Sequence, residues 1–370
     1  MTSERFDIFL VCAPGLEPVL RDEARELGFT DAAAQPGGVT VTGSWADMRR
    51  ANLMLRGATR VVIRIGGFRA FHLAQLDKRA RKFPWAEFLR PDVPVTVEAT
   101  CKASKIYHDR AAAQRIERAI HEELGAEISK SASVRVMARI EDNLVTFSLD
   151  TTGESLHKRG HKEAVGKAPM RETLAALFLR RCGYTGAEPL LDPMCGSGTF
   201  PIEAAEIALG LAPGRSRSFA FEHLAGFDAD LWASERAAIS PRTTNLTFHG
   251  SDRDAGAIKM ATANAERAGV AGITRFEQKP ISDITPPEGP PGLVMINPPY
   301  GGRIGNRKLL FSLHKSMGDV LMERFRGWRV GIITDDGGLA KATNLPFLPQ
   351  EAPVAHGGLK VKLYRTDPLG

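Results

Sequence analysis

An α/β fold, with a parallel sheet covered on both faces and a smaller α+β region ahead of it, follows from three features of the sequence. From Met170 onward, helical segments alternate with short runs that are apolar at consecutive positions, such as GLVMIN at 292–297 and WRVGIIT at 328–334. Strands buried on both faces read this way, and the alternation with helices makes them parallel and Rossmann-like. The first 152 residues instead mix alternating strands, helices and one hairpin pair. The length, 370 residues, and a composition of 43% hydrophobic and 25% charged residues supply enough core for two domains.

Taken in order, FDIFLVC (6–12) reads as a strand and Leu16 to Leu27 as a helix, with Leu16, Val19, Leu20, Ala24 and Leu27 on one stripe. Gly28 ends it. GVTVTG (38–43), the helical WADMRRANLMLRGA (45–58) and TRVVIRIGGFRA (59–70) complete a β-α-β-α-β series. PVTVEATC is a further strand, KASKIYH a loop, and Asp109 to Leu124 a helix; VRVMARIED and NLVTFSLDT then form a hairpin turning at Glu141 to Asn143. The segment GESLHKRGHKEAVGKAP (153–169), rich in Lys, Gly and His and poor in apolar residues, reads as a basic interdomain linker.

Beyond it come a helix at Thr173 to Cys182, strand PLLD, helix TFPIEAAEIAL, strand TFHGSD, helix AGAIKMATANAERAG, strands ITRFE and GLVMIN, a helix near Leu309 to Phe325, and strand WRVGIIT. KVKLYR near the C-terminus reads as an edge strand.

No window approaches the roughly 18 apolar residues of a membrane span, and Glu4 and Asp7 stand where a signal peptide is basic, so a cytoplasmic protein without a membrane partner is expected. Cys12, Cys101, Cys182 and Cys195 are widely spaced with no CxxC pattern, against a disulfide framework or a zinc ribbon. His157 and His161 have metal-like spacing, but Lys158, Arg159 and Lys162 would repel a cation, and no metal is expected. The net charge of +6 is concentrated: Thr40 to Ile120 holds 16 Lys/Arg against 7 Asp/Glu, which suits a polyanionic partner. In KASKIYHDR, Lys102, Lys105, Tyr107, His108 and Arg110 combine charge with an aromatic ring, a mixture suited to RNA ends or loops. Lys158 and Arg159 of the linker are further candidates for phosphate contact. The sequence carries no signal for an oligomeric state.

Two motifs carry chemistry. In LLDPMCGSGTF (190–200) an apolar strand ends in Asp192 and a Gly-Ser-Gly turn leads into a helix, so the turn residues Met194, Cys195, Gly196, Ser197, Gly198 and Thr199 offer main chain to a nucleotide-like ligand. Pro201 stands at the third glycine of a dinucleotide fingerprint, and the next strand-end acid comes 60 residues after Asp192. A carboxylate at the first strand end suits a ligand bearing an ammonium group, as S-adenosylmethionine does. Asp252 then meets a ribose diol, with Arg253 or Asp254 flanking the adenine, Asp254 being equally suited to cap the following helix. Cys195 reads as a small packing residue in the turn.

The second motif is Asn297-Pro298-Pro299-Tyr300 at the end of GLVMIN. Its prolines hold the backbone extended. That fixes the Asn297 side-chain carbonyl and the Pro298 main-chain carbonyl as acceptors for one planar NH2 group, and Tyr300 is placed to stack on a flipped base. A conjugated amine is a poor nucleophile, and acceptors on both its hydrogens aim its lone pair at a methyl sulfonium.

DPMCGSGTF with NPPYG resembles class I S-adenosylmethionine-dependent methyltransferases acting on an amino nitrogen, a set that includes DNA adenine and release-factor glutamine enzymes. CAPGLEPVLRDEARELG, GGVTVTG, RANLMLRGATRVVIRIGGFRA, TTGESLHKRGHKEA with APMRETLAA, and GLKVKLYR narrow this. Nearly end to end, the chain resembles the THUMP-containing RNA guanine-N2 methyltransferases, in particular the methyltransferase unit that modifies 23S ribosomal RNA; a sister group acts on tRNA. The resemblance implies a seven-stranded class I methyltransferase sheet with an antiparallel last hairpin in residues 170–370. It also implies a ferredoxin-like segment over 1–44 and a THUMP RNA-binding domain over 45–152. Family members commonly carry an adenine-binding Asp after the third strand; here Pro280 stands there, with Asp283 as the nearest substitute. A protein or DNA methyltransferase fits the basic N-terminal half poorly, and a non-catalytic RNA-binding protein fits the intact motifs poorly.

Overall fold

The computed structural model describes residues 5–163, 170–299, 307–350, 352–356 and 358–370. Contacts divide the chain into two compact units: Met1–Cys12, Arg21–Leu156 and Arg217–Ala238 form one, and Ala13–Leu20, His157–Ser216 and Ile239–Gly370 the other.

The first 150 residues fold as β1 (Phe6–Val11), α1 (Glu17–Glu26), β2 (Ala33–Gln35), β3 (Gly38–Gly43), α2 (Trp45–Met54), β4 (Arg60–Arg69), α3 (Leu73–Ala80), β5 (Val95–Lys102), α4 (Asp109–Leu124), β6 (Val134–Glu141) and β7 (Leu144–Asp150). Their strands make one sheet in the order β2-β3-β1-β4-β7-β6-β5. The βαββαβ series with order β4-β1-β3-β2 is ferredoxin-like. It runs on to Arg69, past the boundary expected at 44/45, because β4 pairs antiparallel with β1 through Ile8 and Ile63. Local signals set these elements. Ser44 and Asp47 cap α2 reciprocally. Asp142 and Asn143, with φ of 51° and 62°, turn the β6–β7 hairpin where the sequence places it. α4 starts at a His108 cap, ends at Gly125 in the left-handed region, and buries Ala112, Ile116, Ala119 and Ile120.

The rest of the chain adds α5 (Glu172–Arg181), β8 (Leu190–Asp192), α6 (Thr199–Ala208), α7 (Ala229–Ala237), β9 (Phe248–Asp252), α8 (Ala255–Ala268), β10 (Thr274–Gln278), β11 (Leu293–Ile296), α9 (Arg307–Arg324), β12 (Arg329–Thr334), α10 (Gly337–Ala342), β13 (Val354–His356) and β14 (Leu359–Arg365). The seven-stranded sheet runs β10-β9-β8-β11-β12-β14-β13. β8 to β12 are parallel and the last hairpin is antiparallel, as the class I methyltransferase resemblance implies. KVKLYR is not at the edge. β13 folds back against β14 and takes that place, leaving Val361, Leu363 and Tyr364 buried. Leu191, Val294 and Ile296 pack with Met317 and Leu321 of α9 and with Phe325 just after it, each fully buried side chain contributing about 1.5–3 kcal/mol.

Two expectations about domain organisation change. Residues 153–169 are not a solvated linker throughout, since Arg159 and His161 are 2% and 5% exposed within the second unit. Residues 217–238 return to the first unit, where Phe219, Phe221 and Trp232 form a buried aromatic cluster. There Arg49 grips Glu235 through two hydrogen bonds of 2.6 Å.

Candidate active site

The sheet order reverses beside β8, with β9 on one side and β11 on the other. Ligands of open α/β sheets bind at such a switch point, outside the C-terminal strand ends. Register brings the motifs there together: Asp192 lies opposite Gly250, two residues before Asp252, and Leu191 opposite Val294, three before Asn297.

The turn after β8 is held by its own acids. Asp192 Oδ1 accepts from the Met194 N–H at 3.0 Å, and Asp252 Oδ2 accepts from the Gly196 N–H at 3.1 Å. The Cys195 N–H donates to the Ser251 carbonyl and the Gly198 N–H to the Cys195 carbonyl. Gly196 and Gly198 have φ of 52° and 85°. A Cβ on Gly198 would stand 3.0 Å from the Ala261 Cβ of α8, whereas one on Gly196 would project into open space. Gly198 therefore serves packing, and Gly196 leaves a cradle beside the turn. α6 begins at Thr199 without a side-chain cap and without an acid in its first turn, so its N-terminus is electropositive.

Burial, with the Asp252 charge adding to it, pushes the Asp192 carboxyl up to about 8. The same two influences differ little in kind at Cys195, where burial and both neighbouring acids drive the thiol well above its ordinary value. Cys195 is a neutral packing group, as its sequence context indicates. Asp252 Oδ1 also accepts from the Asp254 N–H at 3.0 Å, and Asp254 caps α8 through Gly256. Arg253 is exposed, and its carbonyl accepts from Gln278 at the end of β10. The Lys279 N–H donates to the Asp252 carbonyl, which ties the loop after β10 to the same corner. Pro280 leads a short 3₁₀ turn, and Asp283 at its end is exposed, accepting from the Ser282 hydroxyl.

Across β8, Asn297 follows the fully buried β11. Its Oδ1 is buried and, among the described residues, has no hydrogen-bond partner. Such a group costs about 1–3 kcal/mol unless something donates to it. Pro298 is buried and Pro299 half-buried; Tyr300 lies outside the described residues.

Residues 159–360 match the family described as RMKL-like, methyltransferase domain, and residues 7–62 match the RlmL ferredoxin-like domain. The chain belongs to the RMKL-like methyltransferase family. A Synechocystis sp. protein named as a candidate RNA methyltransferase is 34% identical over 370 residues, with 97% of this chain and 96% of that protein covered. A Chromohalobacter salexigens protein named ribosomal RNA large subunit methyltransferase K/L is 33% identical over 382 residues, with 98% of this chain and 52% of that protein covered. The chain thus spans about half the length of its K/L relatives. A solved candidate methyltransferase complexed with S-adenosylhomocysteine has a TM-score of 0.88 at 27% identity, with 99% of each chain covered.

This RMKL-like chain is an S-adenosylmethionine-dependent methyltransferase, and the residues at the switch point fit that cofactor. The cradle at Gly196 is open to it, Asp192 is a buried acid suited to an ammonium group, and Asp252 keeps acceptor capacity for a ribose.

The basic candidates separate. Lys105, Tyr107 and His108 lie on the β5–α4 connection, with Lys102 closing β5 and Arg110 in the first turn of α4; all five are exposed, Tyr107 to 84%. The Lys105 ammonium sits 5.6 Å from the ring centre of Phe71, another exposed aromatic. Lys158 is exposed. Arg159 is not available to RNA: its guanidinium is buried, paired with Glu203 and with Glu206 at 3.2 Å on α6. Two buried carboxylates require a cation. Sequence reasoning missed Asn264, whose side chain donates to the Ser197 carbonyl at 3.0 Å. The available signal was a polar residue on the buried Ala257-Ala261-Ala265-Ala268 stripe of α8.

Proposed function

We propose that this methyltransferase modifies the exocyclic N2 amine of a guanosine in RNA, with 23S ribosomal RNA as the substrate. The observation that carries the reading is the buried, unpartnered Asn297 Oδ1 at the strand end adjoining the glycine turn. When bound, the cofactor supplies an electrophilic methyl group on a sulfonium. Asp192 takes the ammonium of its amino-acid end and Asp252 its ribose diol, while Arg253 and Asp283 border the adenine. Asn297 Oδ1 and the Pro298 carbonyl accept the two hydrogens of the amine and orient its lone pair, and Pro299 keeps both acceptors still. Tyr300 stacks on the base. As the nitrogen takes the methyl group, the S–CH3 bond would break to leave a neutral thioether, and the amine proton, made acidic by the new bond, would pass to water, so no strong protein base is needed.

The names of the relatives support an RNA substrate. The exposed set Lys102, Lys105, Tyr107, His108 and Arg110, with Lys158, offers charge and a stacking ring to unpaired RNA. The test is incubation of the protein with labelled S-adenosylmethionine and unmodified 23S ribosomal RNA or tRNA in parallel, followed by nucleoside mass spectrometry. N2-methylguanosine in the ribosomal RNA is the expected result. Its appearance in tRNA alone moves the chain to the tRNA-modifying group; no product from either, with S-adenosylhomocysteine still bound, points to an RNA at an assembly stage or to another acceptor.

A further inference from the structure

Behind the glycine turn, Lys162 is almost enclosed, with 10% of its side chain exposed. Its ammonium donates to the Met170 carbonyl at 2.7 Å and to the Thr199 hydroxyl at 2.8 Å, and pairs with Glu172 at 3.2 Å. These three partners use all three of its N–H bonds, so Lys162 acts on protein groups and not directly on a ligand. Thr199 is the first residue of α6 and follows Gly198 of the turn; Glu172 opens α5. One cation therefore ties the entry of α5 to the entry of α6.

The placement runs against ordinary helix electrostatics. A cation at a helix N-terminus is unfavourable, and α6 has neither a side-chain cap nor a first-turn acid to offset it. Burial also lowers the Lys162 pKa, opposed chiefly by Glu172. Arrangements that break local rules tend to sit at functional sites. Here Glu172 offsets the Lys162 charge, so the buried pair fixes the entry of α6 next to the Gly196 cradle rather than adding net charge there.

We propose that Lys162 is a positioning residue for the amino-acid end of the cofactor, acting through the Thr199 hydroxyl to hold the turn and the start of α6 in binding geometry. This rests on the S-adenosylmethionine assignment. The experiment compares S-adenosylhomocysteine with 5′-methylthioadenosine, which keeps the nucleoside and lacks the amino-acid end, by calorimetric titration of the full chain. Lys162→Met is expected to weaken S-adenosylhomocysteine about tenfold or more, the scale of a lost charged hydrogen bond, and to leave 5′-methylthioadenosine within about twofold. Thr199→Val removes only the acceptor and should act in the same direction, with the double variant no weaker than Lys162→Met alone; Thr199→Ser should retain affinity. Parallel loss of both ligands, or no loss of either, overturns the proposal, and Thr199→Val decides alone should Lys162→Met not fold. Failure of the wild-type protein to bind S-adenosylhomocysteine overturns the cofactor assignment and the proposal with it.

Discussion

Asp192 is mostly protonated at neutral pH, because burial and the Asp252 charge both oppose its ionisation. An ammonium group placed against it reverses that balance. S-adenosylhomocysteine binding at pH 7 should therefore release a proton from this carboxyl, and the release should fade as pH rises past about 8. Calorimetry in two buffers of different ionisation heat reads the release; identical heats at pH 7 would separate Asp192 from the ammonium. The stability consequence has a definite sign. The folded-state value, about 8, lies above the ordinary 3.8, so the contribution of this group is fully present below about pH 4 and is lost as pH rises through 8. Asp192→Asn should thus melt above wild type at pH 8.5, with the gap closing toward pH 4, while losing cofactor affinity. Asn297→Ala makes the opposite separation. Turnover should fall about a hundredfold or more, as for other preorganised polar groups, while S-adenosylhomocysteine still binds. Unchanged turnover would remove Asn297 from the chemistry.

Among the elements, the strand–turn–helix around 190–208 separates packing from ligand space within three residues. Gly198→Ala forces a Cβ against α8 at a positive φ and should cost about 1–3 kcal/mol in denaturant unfolding. Gly196→Ala shares the positive-φ strain but meets no protein atom, so it should cost less stability than Gly198→Ala and weigh more on cofactor affinity; the reverse ranking of the two would reassign their roles. On the β5–α4 connection, reversing Lys102 and Lys105 to Glu should weaken RNA binding and flatten its salt dependence, since fewer counterions are released. An unaltered slope places the RNA elsewhere.

These elements also show what sequence alone conveys. β8 and β11 are legible because strands buried on both faces leave uninterrupted apolar runs, whereas β9, FHGSD, is legible only from its place between two helices; Asp192 and Asp252 close their strands and Asn297 follows β11 directly. The position of β14 is not legible, because the hairpin that moves it off the edge depends on the three-residue β13. Arg159 reads as a candidate phosphate contact and Lys162 as one more charge of a basic linker because their carboxylate partners, Glu203 and Glu172, come from helices that only the tertiary fold brings near.

Across the whole molecule, each unit is assembled from three stretches of chain. The first needs residues 217–238, whose Trp232 packs against Phe219 and Phe221 at ring separations of 5.9 and 5.1 Å. Trp232→Ala should cost about 3–5 kcal/mol and speed hydrogen exchange in β6, against which the Ala220–His223 turn packs, with S-adenosylhomocysteine affinity unchanged. A matching loss of affinity would mean that the effect of the cluster reaches the cofactor site.

That late-arriving segment sets an order of events during synthesis. Nascent domains commonly fold as they emerge, N-terminal first, at about 5–20 residues per second. The seven-stranded sheet of the first unit is complete in sequence by residue 150, yet its last contributing segment ends at residue 238, 82 residues after Leu156. The ribosome therefore delivers the end of that segment roughly 4–16 s after Leu156. Through that interval the apolar surfaces that Phe219, Phe221 and Trp232 will cover stand open, and the nascent chain has a window in which chaperones can engage it.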